Sequence, residues 1–286
     1  MQVVDSHHHL WDPATRTYPW MDDSVAPIRK RFGIDELRAV TTLSVAQTIV
    51  VQAVDAFDET QELLEIASQS DLVAGVVGWV DLGARDVAQT IARLREGPGG
   101  RHLVGIRHLV HDEPDPQWLL RDAVVRGLAA VANANLPYDL LVRSRELPAA
   151  LALVRRLPQL QFMLDHGAKP EIALQRCEPW NAGVTSLAAC PNVACKISGL
   201  VTEADRGAWR FDEIVPYVRR LVALFGPRRL LFGSDWPVCL LAASYAQVLD
   251  LAHATLCDLS PSELADVFAG NARRFYLGNC RALPDS

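Results

Sequence analysis

Eight short apolar segments recur along the chain, with stretches of helical periodicity between them. Most of these segments are almost continuously apolar, which is typical of parallel strands that helices cover on both faces. The first is QVVDSH near residues 2–7, the last is LLFGSDWP near 230–237, and the others lie near 48–54, 72–80, 103–110, 138–142, 161–166 and 193–200. Eight strands that alternate with helices predict a closed (β/α)8 barrel, the TIM barrel of the α/β class.

Helical periodicity fills the intervening segments, at 58–67, 86–96, 117–134, 145–157, 180–190, 211–225 and 244–257. A last helix opens at Ser260 with a capping box and is expected to end near Tyr276. No low-complexity linker interrupts the alternation, so we expect residues 1–286 to form a single barrel domain. The alternative is a doubly wound open sheet, which usually has a glycine-rich phosphate turn after an early strand. This sequence has no such turn there.

The connection after the first strand is long and aromatic. It runs from Leu10 to about Phe32 and contains Trp11, Tyr18 and Trp20. Long loops in barrels are commonly functional. Because this loop leaves the carboxyl end of a strand, we expect it to lie over the barrel mouth as a partial lid.

Composition limits the kinds of molecule that this protein is expected to bind. The 286 residues have a formal net charge of −6, and no Lys/Arg stripe marks a surface for nucleic acid or an anionic membrane. No apolar run reaches the roughly 20 residues of a spanning helix, and the N-terminus lacks a basic region followed by an apolar one. We therefore expect a cytoplasmic protein that acts on a small molecule. The sequence allows a homo-oligomer but does not decide it.

Titratable residues accumulate where the predicted strands end, which is the face where barrel enzymes place their catalytic groups. In the run Asp5-Ser6-His7-His8-His9, alternation points His7 and His9 into the barrel and His8 toward the helices. Two imidazoles on one side form a chelating pair. The alternative is a pair of neutral, hydrogen-bonded histidines.

Asp235 and His166 follow two later strands. Asp235 lies between an apolar strand and the turn Trp236-Pro237, where a partly desolvated carboxylate has a raised pKa and acts as a general base. The alternative role for Asp235 is a helix cap. His166 brings a third imidazole to the same mouth, unless Asp165 merely orients it.

Five further residues are candidates for substrate binding. Lys196 interrupts an apolar strand and must find an anion, which is either the substrate or a structural partner such as Asp165 or Asp235. Arg107 and His108 are adjacent on strand four, and periodicity does not settle which of them faces inward. Trp79 and Trp236 lie at strand ends and could line a sugar-sized pocket.

Five ordered blocks of this sequence resemble the amidohydrolase superfamily. In particular, they resemble its amidohydrolase-related sugar-lactone hydrolases, such as fuconolactonases and rhamnonolactonases. The blocks are Asp5–Trp11, Gly105–Pro114, Leu164–Pro170, Cys195–Leu200 and Phe232–Pro237. The resemblance spans almost the whole chain. It implies a barrel that hydrolyses a lactone, with the carboxylate after strand eight as the base.

The sequence departs from the binuclear members of that superfamily. Those carry a bridging Lys, Glu or Cys on strand four and a histidine on strand five, whereas here strand four offers Arg107 and His108 and strand five has no histidine. We therefore expect at most one divalent ion, with zinc the leading identity, held by His7, His9, His166 and Asp235. The resemblance leaves open whether an ion is needed.

The resulting hypothesis is hydrolysis of an aldonolactone by water that Asp235 deprotonates, with His166 or one metal ion stabilising the oxyanion. A second interpretation from the same resemblance is non-oxidative decarboxylation of an aromatic or muconate-like acid at a mononuclear metal site. A third is a ligand-binding barrel without catalysis.

Overall fold

In the computed structural model, which describes residues 2–41 and 44–278, eight parallel strands form one sheet in the order of the sequence. They are β1 Val3–His8, β2 Val45–Val51, β3 Val73–Gly78, β4 Leu103–His108, β5 Tyr138–Leu140, β6 Phe162–Leu164, β7 Val193–Ile197 and β8 Leu230–Phe232. The segment after β8 returns to β1, where the amide of Asp235 donates to the carbonyl of His7 at 2.8 Å. In turn the amide of His9 donates to the carbonyl of Trp236 at 2.7 Å. The predicted (β/α)8 barrel is confirmed.

Helices alternate with the strands along the chain. They are α1 Ile34–Val40, α2 Phe57–Gln69, α3 Val87–Glu96, α4 Asp122–Asn133, α5 Leu147–Arg156, α6 Trp180–Ala188, α7 Leu200–Glu203, α8 Phe211–Phe225, α9 Tyr245–Thr255 and α10 Pro261–Ala265. The seven periodic segments correspond to α2, α3, α4, α5, α6, α8 and α9. Helix α4 begins later than predicted because Arg121 is extended, with ψ 132°, and separates it from a 3-10 turn at Trp118–Leu120.

The terminal helix changes its winding after α10. Two π-helical turns follow, at Asp266–Gly270 and Arg273–Leu277. This segment carries Ala269, Ala272 and Tyr276 into one buried cluster with the apolar side chains of the barrel interior: Val4, Ile49, Val51, Val77, Val104, Met163, Ala194 and Leu231. The C-terminal segment therefore completes the inner core, and the larger outer core lies between strands and helices.

The long loop after β1 is ordered by its aromatic residues. The indole nitrogen of Trp11 donates to the carbonyls of Ile28 and Lys30 at 3.1 and 3.0 Å. Trp20 donates to the carbonyl of Ala53, just after β2, at 2.7 Å. A 3-10 helix at Asp23–Ile28 packs against the segment that follows β8. The loop thus covers the side of the carboxyl-terminal face where β8, β1 and β2 end.

Within the described residues, no helix combines the length and the apolar character that crossing a lipid bilayer requires.

The hydroxyl of Tyr276 donates to Asp139 Oδ1 at 2.7 Å in the barrel interior, whereas the equally buried hydroxyl of Tyr138 finds no hydrogen-bond partner among the described residues. We expect Tyr276→Phe to lower the free energy of unfolding by about 1.5–3 kcal/mol, because it removes a hydrogen bond to a charged group. Tyr138→Phe is the matched control and should be neutral or slightly stabilising. Urea unfolding at pH 8 measures both variants, and equal losses in the two would contradict this assignment.

Candidate active site

Four of the predicted site residues converge at the carboxyl ends of β1, β6 and β8. Oδ1 of Asp235 lies 3.8 Å from Nε2 of His7, 3.5 Å from Nε2 of His9 and 3.9 Å from Nε2 of His166. All four side chains are almost completely buried. One carboxylate oxygen therefore faces three imidazole nitrogens, and the four residues come from three separate parts of the sequence.

Strand β1 presents two imidazoles to the interior and one to the outside. Its pairing with β2 is irregular between Asp5 and His8. Nε2 of His8 lies 2.9 Å from the hydroxyl of Thr48, while His7 and His9 face Asp235. Asp5 accepts hydrogen bonds from the amide of Ser234 at 2.8 Å and from the hydroxyl of Tyr245 at 3.1 Å, so this carboxylate fixes the β8–β1 junction. Burial raises the pKa of Asp5 to about 6, although these hydrogen bonds oppose the shift.

A left-handed turn after β6 delivers His166. Residues 166–169 have φ values of 54°, 57°, 62° and 49°, and only the second of them is glycine. Left-handed backbone costs energy for side-chain-bearing residues and persists only where surrounding contacts enforce it. Here Trp180 donates to the carbonyl of Gly167 at 2.6 Å, and the amide of Lys169 donates to the carbonyl of His166 at 2.9 Å.

The ring of His166 is positioned from its far side by β7. Its Nδ1 lies 2.8 Å from the hydroxyl of Ser198. Next to this serine, Gly199 has φ +63°, and a Cβ there would lie 2.6 Å from Nδ1 of His166 and 2.8 Å from Oδ2 of Asp235. Only glycine fits this position. The sequence alone assigned no role to Ser198 or Gly199, although the pair Ser198-Gly199 after an apolar strand was a usable signal.

The pKa of Asp235 is lowered, which corrects the expectation of a raised value. Burial does push it upward, but the polar contacts with His166 and His9, together with the positive charge of Lys169, outweigh burial. Burial also lowers the pKa of all three surrounding imidazoles. At neutral pH the site therefore holds an ionised carboxylate among neutral rings.

A buried ion cluster lies beside these residues. Nζ of Lys196 is 2.5 Å from Oδ2 of Asp139 and 3.1 Å from Oδ1 of Asp165. Nη1 of Arg107 is 3.1 Å from the other oxygen of Asp165. Although burial opposes it, the attraction of Lys196, His7 and Arg107 holds the pKa of Asp165 well below its usual value. Each oxygen of Asp165 thus faces its own cation.

Lys196 was predicted to bind either substrate or a structural anion, and the structure places its ammonium group in the buried ion cluster. The side chain is completely buried and its ammonium group lies between Asp139, Asp165 and His7, so it has no surface to offer a ligand. The structural ion pair that the sequence also allowed is what the protein forms. Asp139 was missed, yet a carboxylate inside the apolar run Tyr138–Leu140 is the same kind of signal as a lysine inside β7.

Arg107 faces inward and His108 faces outward. Arg107 is 2% exposed, and its guanidinium donates to Gln52 and Asp165 and lies 3.3 Å from Nε2 of His7. The ring of His108 stacks on Trp118 at 4.1 Å, and its two nitrogens face Asp55, Glu113 and the indole of Trp79. With both nitrogens engaged, His108 has no free atom for a substrate.

The two predicted pocket tryptophans differ in exposure. Trp79 is half-buried and donates to Nδ1 of His108 at 3.0 Å. Trp236 is 1% exposed and packs edge-on against Phe32 of the long loop, with ring centroids 5.3 Å apart. Trp236 was predicted to line the substrate pocket; in the structure its ring packs on the long loop and anchors it.

The residues that face Asp235 are suited to hold a divalent cation. Nδ1 of His9 lies 2.8 Å from the carbonyl of Val51, so this nitrogen carries the proton and Nε2 presents its lone pair to the carboxylate. His7, His9 and Asp235 each offer one ligand atom, all within 4.8 Å of one another. Two imidazoles and one carboxylate that leave a position open are typical of catalytic zinc sites. A second group, His7, Asp165 and His166, contains the carboxylate that Lys196 and Arg107 already neutralise.

Comparisons with known proteins agree with this architecture. The family model described as Amidohydrolase matches residues 4–277. An L-fucono-1,5-lactonase from Burkholderia ambifaria is 40% identical over 278 residues, which cover 96% of this chain and 94% of that protein.

Two crystal structures of an amidohydrolase from Burkholderia multivorans are also similar. One with bound HEPES has a TM-score of 0.90 and 36% identity, covering 99% of this chain and 100% of that chain. One with bound zinc has a TM-score of 0.88 and 37% identity, with the same coverage. The resemblance inferred from the five sequence blocks is confirmed: this chain belongs to the amidohydrolase family.

Proposed function

We propose that this protein is a lactonase that hydrolyses a small sugar-derived lactone, an aldonolactone. The observation that carries the proposal is the convergence of His7, His9 and His166 on one oxygen of Asp235. The substrate class follows from the 40% identical L-fucono-1,5-lactonase, which makes L-fucono-1,5-lactone the first compound to test. The proposed partner is thus a small molecule.

Asp235 is the proposed general base. Its ionised carboxylate accepts a proton from water as the oxygen attacks the lactone carbonyl. The ring C–O bond then breaks, and the protonated carboxyl returns the proton to the departing ring oxygen. The product is an open-chain hydroxy acid, which releases one proton as its carboxyl group ionises. A positioned base contributes on the order of 10²–10⁴ to the rate.

His166 is the proposed donor to the oxyanion. When Ser198 donates to Nδ1, the imidazole carries its proton on Nε2, the nitrogen that faces Asp235. Such a donor contributes on the order of 10²–10³, and the product of the two factors suffices for a lactone, which is an activated ester.

We propose that His7, His9 and Asp235 are the residues that would hold a metal ion, zinc being the best match to this donor set. The structure with bound zinc from Burkholderia multivorans supports this identity. When bound, such an ion supplies Lewis-acid polarisation of a carbonyl group.

Asp235→Asn should lower kcat for lactone opening by roughly 10²-fold or more with little change in KM, because the amide cannot accept the proton. Asp81→Asn, which changes an exposed carboxylate after β3, is the control and should keep wild-type rates. A pH-indicator assay across a panel of aldonolactones measures both. A loss below about tenfold would contradict the role of Asp235 as the base. Release of CO2 from an aromatic or muconate-like acid in place of lactone opening would replace the proposed reaction by decarboxylation.

The loss of activity on the acidic side of the pH profile should begin only below pH 5. The base acts when deprotonated, and the pKa of Asp235 is below its ordinary value of 3.8, so lowering the pH from 7 to 5 leaves it ionised. Burial holds the pKa of His166, the proposed donor to the oxyanion, well below its ordinary value of 6.5, so this ring stays neutral over the same range. We expect kcat/KM to change by no more than about twofold between pH 7 and 5, as measured in a pH-stat. A tenfold fall centred near pH 6 would require a different base.

Metal content should not exceed one ion per chain. The second candidate group depends on Asp165, whose two oxygens already face Lys196 and Arg107. Elemental analysis of protein purified without chelator measures the occupancy. Two ions per chain would contradict this expectation, because a metal ion would then have displaced Lys196 or Arg107 from Asp165.

A further inference from the structure

His7 belongs to both candidate metal groups, and each of its ring nitrogens faces a cation. Nζ of Lys196 lies 3.1 Å from Nδ1, and Nη1 of Arg107 lies 3.3 Å from Nε2. Ammonium and guanidinium groups only donate hydrogen bonds, whereas a neutral imidazole has one N–H and one lone pair. The two contacts therefore cannot both be hydrogen bonds at the same time.

The two neutral tautomers of His7 accept a hydrogen bond from different neighbours. With the proton on Nδ1, the ring faces Oδ1 of Asp165 at 3.4 Å, and the Nε2 lone pair accepts from Arg107. With the proton on Nε2, the Nδ1 lone pair accepts from Lys196. Only the first tautomer offers Nε2 as a ligand beside His9 and Asp235, and in that tautomer Arg107 already uses the lone pair.

The guanidinium of Arg107 is held firmly in this position. Gln52 Oε1 accepts from Nε at 3.2 Å and from Nη2 at 2.9 Å, and Asp165 Oδ2 accepts from Nη1 at 3.1 Å. The side chain is 2% exposed and comes from near the carboxyl end of β4. A cation that binds Nε2 of His7 must displace the hydrogen bond from Nη1 and remain close to a fixed positive charge.

We infer that Arg107 and a divalent ion compete for the Nε2 lone pair of His7. Without an ion, the guanidinium bridges His7 and Asp165 and keeps the imidazole oriented toward Asp235. When an ion binds, it must break this bridge, so Arg107 weakens metal affinity. The inference concerns the metal site of the proposed lactonase. Because its test measures zinc affinity alone, its failure is distinguishable from a failure of the proposed activity.

The test compares zinc affinity in wild-type protein and in Arg107→Met, which keeps an unbranched stem but removes the charge and the donors of the guanidinium group. Metal-free protein competes for Zn²⁺ with a chromophoric chelator. We expect Arg107→Met to bind zinc at least about tenfold more tightly, the scale on which neighbours of metal ligands act. Arg143→Met is the charge-matched control, since Arg143 pairs with Glu203 at 2.9 Å on the same face of the barrel. It should bind zinc as the wild type does.

Arg107→Met leaves Oδ2 of Asp165 without its cation and could prevent folding. The double variant Arg107→Met/Asp165→Asn removes both charges, and it should show the same gain in zinc affinity with a native circular dichroism spectrum. Adding His7→Ala to either variant should abolish the gain, because the contested lone pair is then gone. Wild-type or weaker zinc affinity in the folded Arg107 variants, or an equal gain in Arg143→Met, would overturn the inference.

Discussion

The structure depends on how four charges share the interior of the barrel. Lys196 and Arg107 lie against Asp165, and Lys196 also contacts Asp139, with every one of these side chains almost fully buried. Removing charges from water costs several kcal/mol for each ion, and only close pairing in the interior offsets that cost. Two cations and two anions balance here. Tyr276 adds a hydrogen bond to Asp139, so the C-terminal segment also supports the cluster.

Because this ion cluster has no net charge, it explains the charge state of the active site next to it. With Asp139 and Asp165 already paired, the carboxylate of Asp235 faces imidazoles that burial keeps neutral. A carboxylate with a lowered pKa is a weak base, but it is ionised and able to accept a proton over the whole neutral pH range. Because Asp235 is a weak base, fast hydrolysis depends on the reactivity of the substrate carbonyl. The carbonyl must be reactive already, as in a lactone, or be polarised by a donor or an ion at the same place.

The sequence predicted the parts of the site that depend on strand geometry. Alternation along β1 placed His7 and His9 on one side, and the strand ends located His166 and Asp235. Alternation failed between Arg107 and His108 because the apolar residues near them occupy both faces of β4. The side that faces the interior was decided by Asp165 and Gln52, which directly follow two other strands.

The sequence could not predict properties that arise between distant segments. The pKa of Asp235 was expected to rise because only burial was visible from its own strand, whereas the lowering comes from His166, His9 and Lys169. Likewise, the burial of Trp236 depends on Phe32 of the long loop. The four left-handed residues after β6 leave no periodic signal. They are tolerated because Trp180 on the outer layer holds the carbonyl of Gly167, so a helix outside the barrel sets the position of an imidazole inside it.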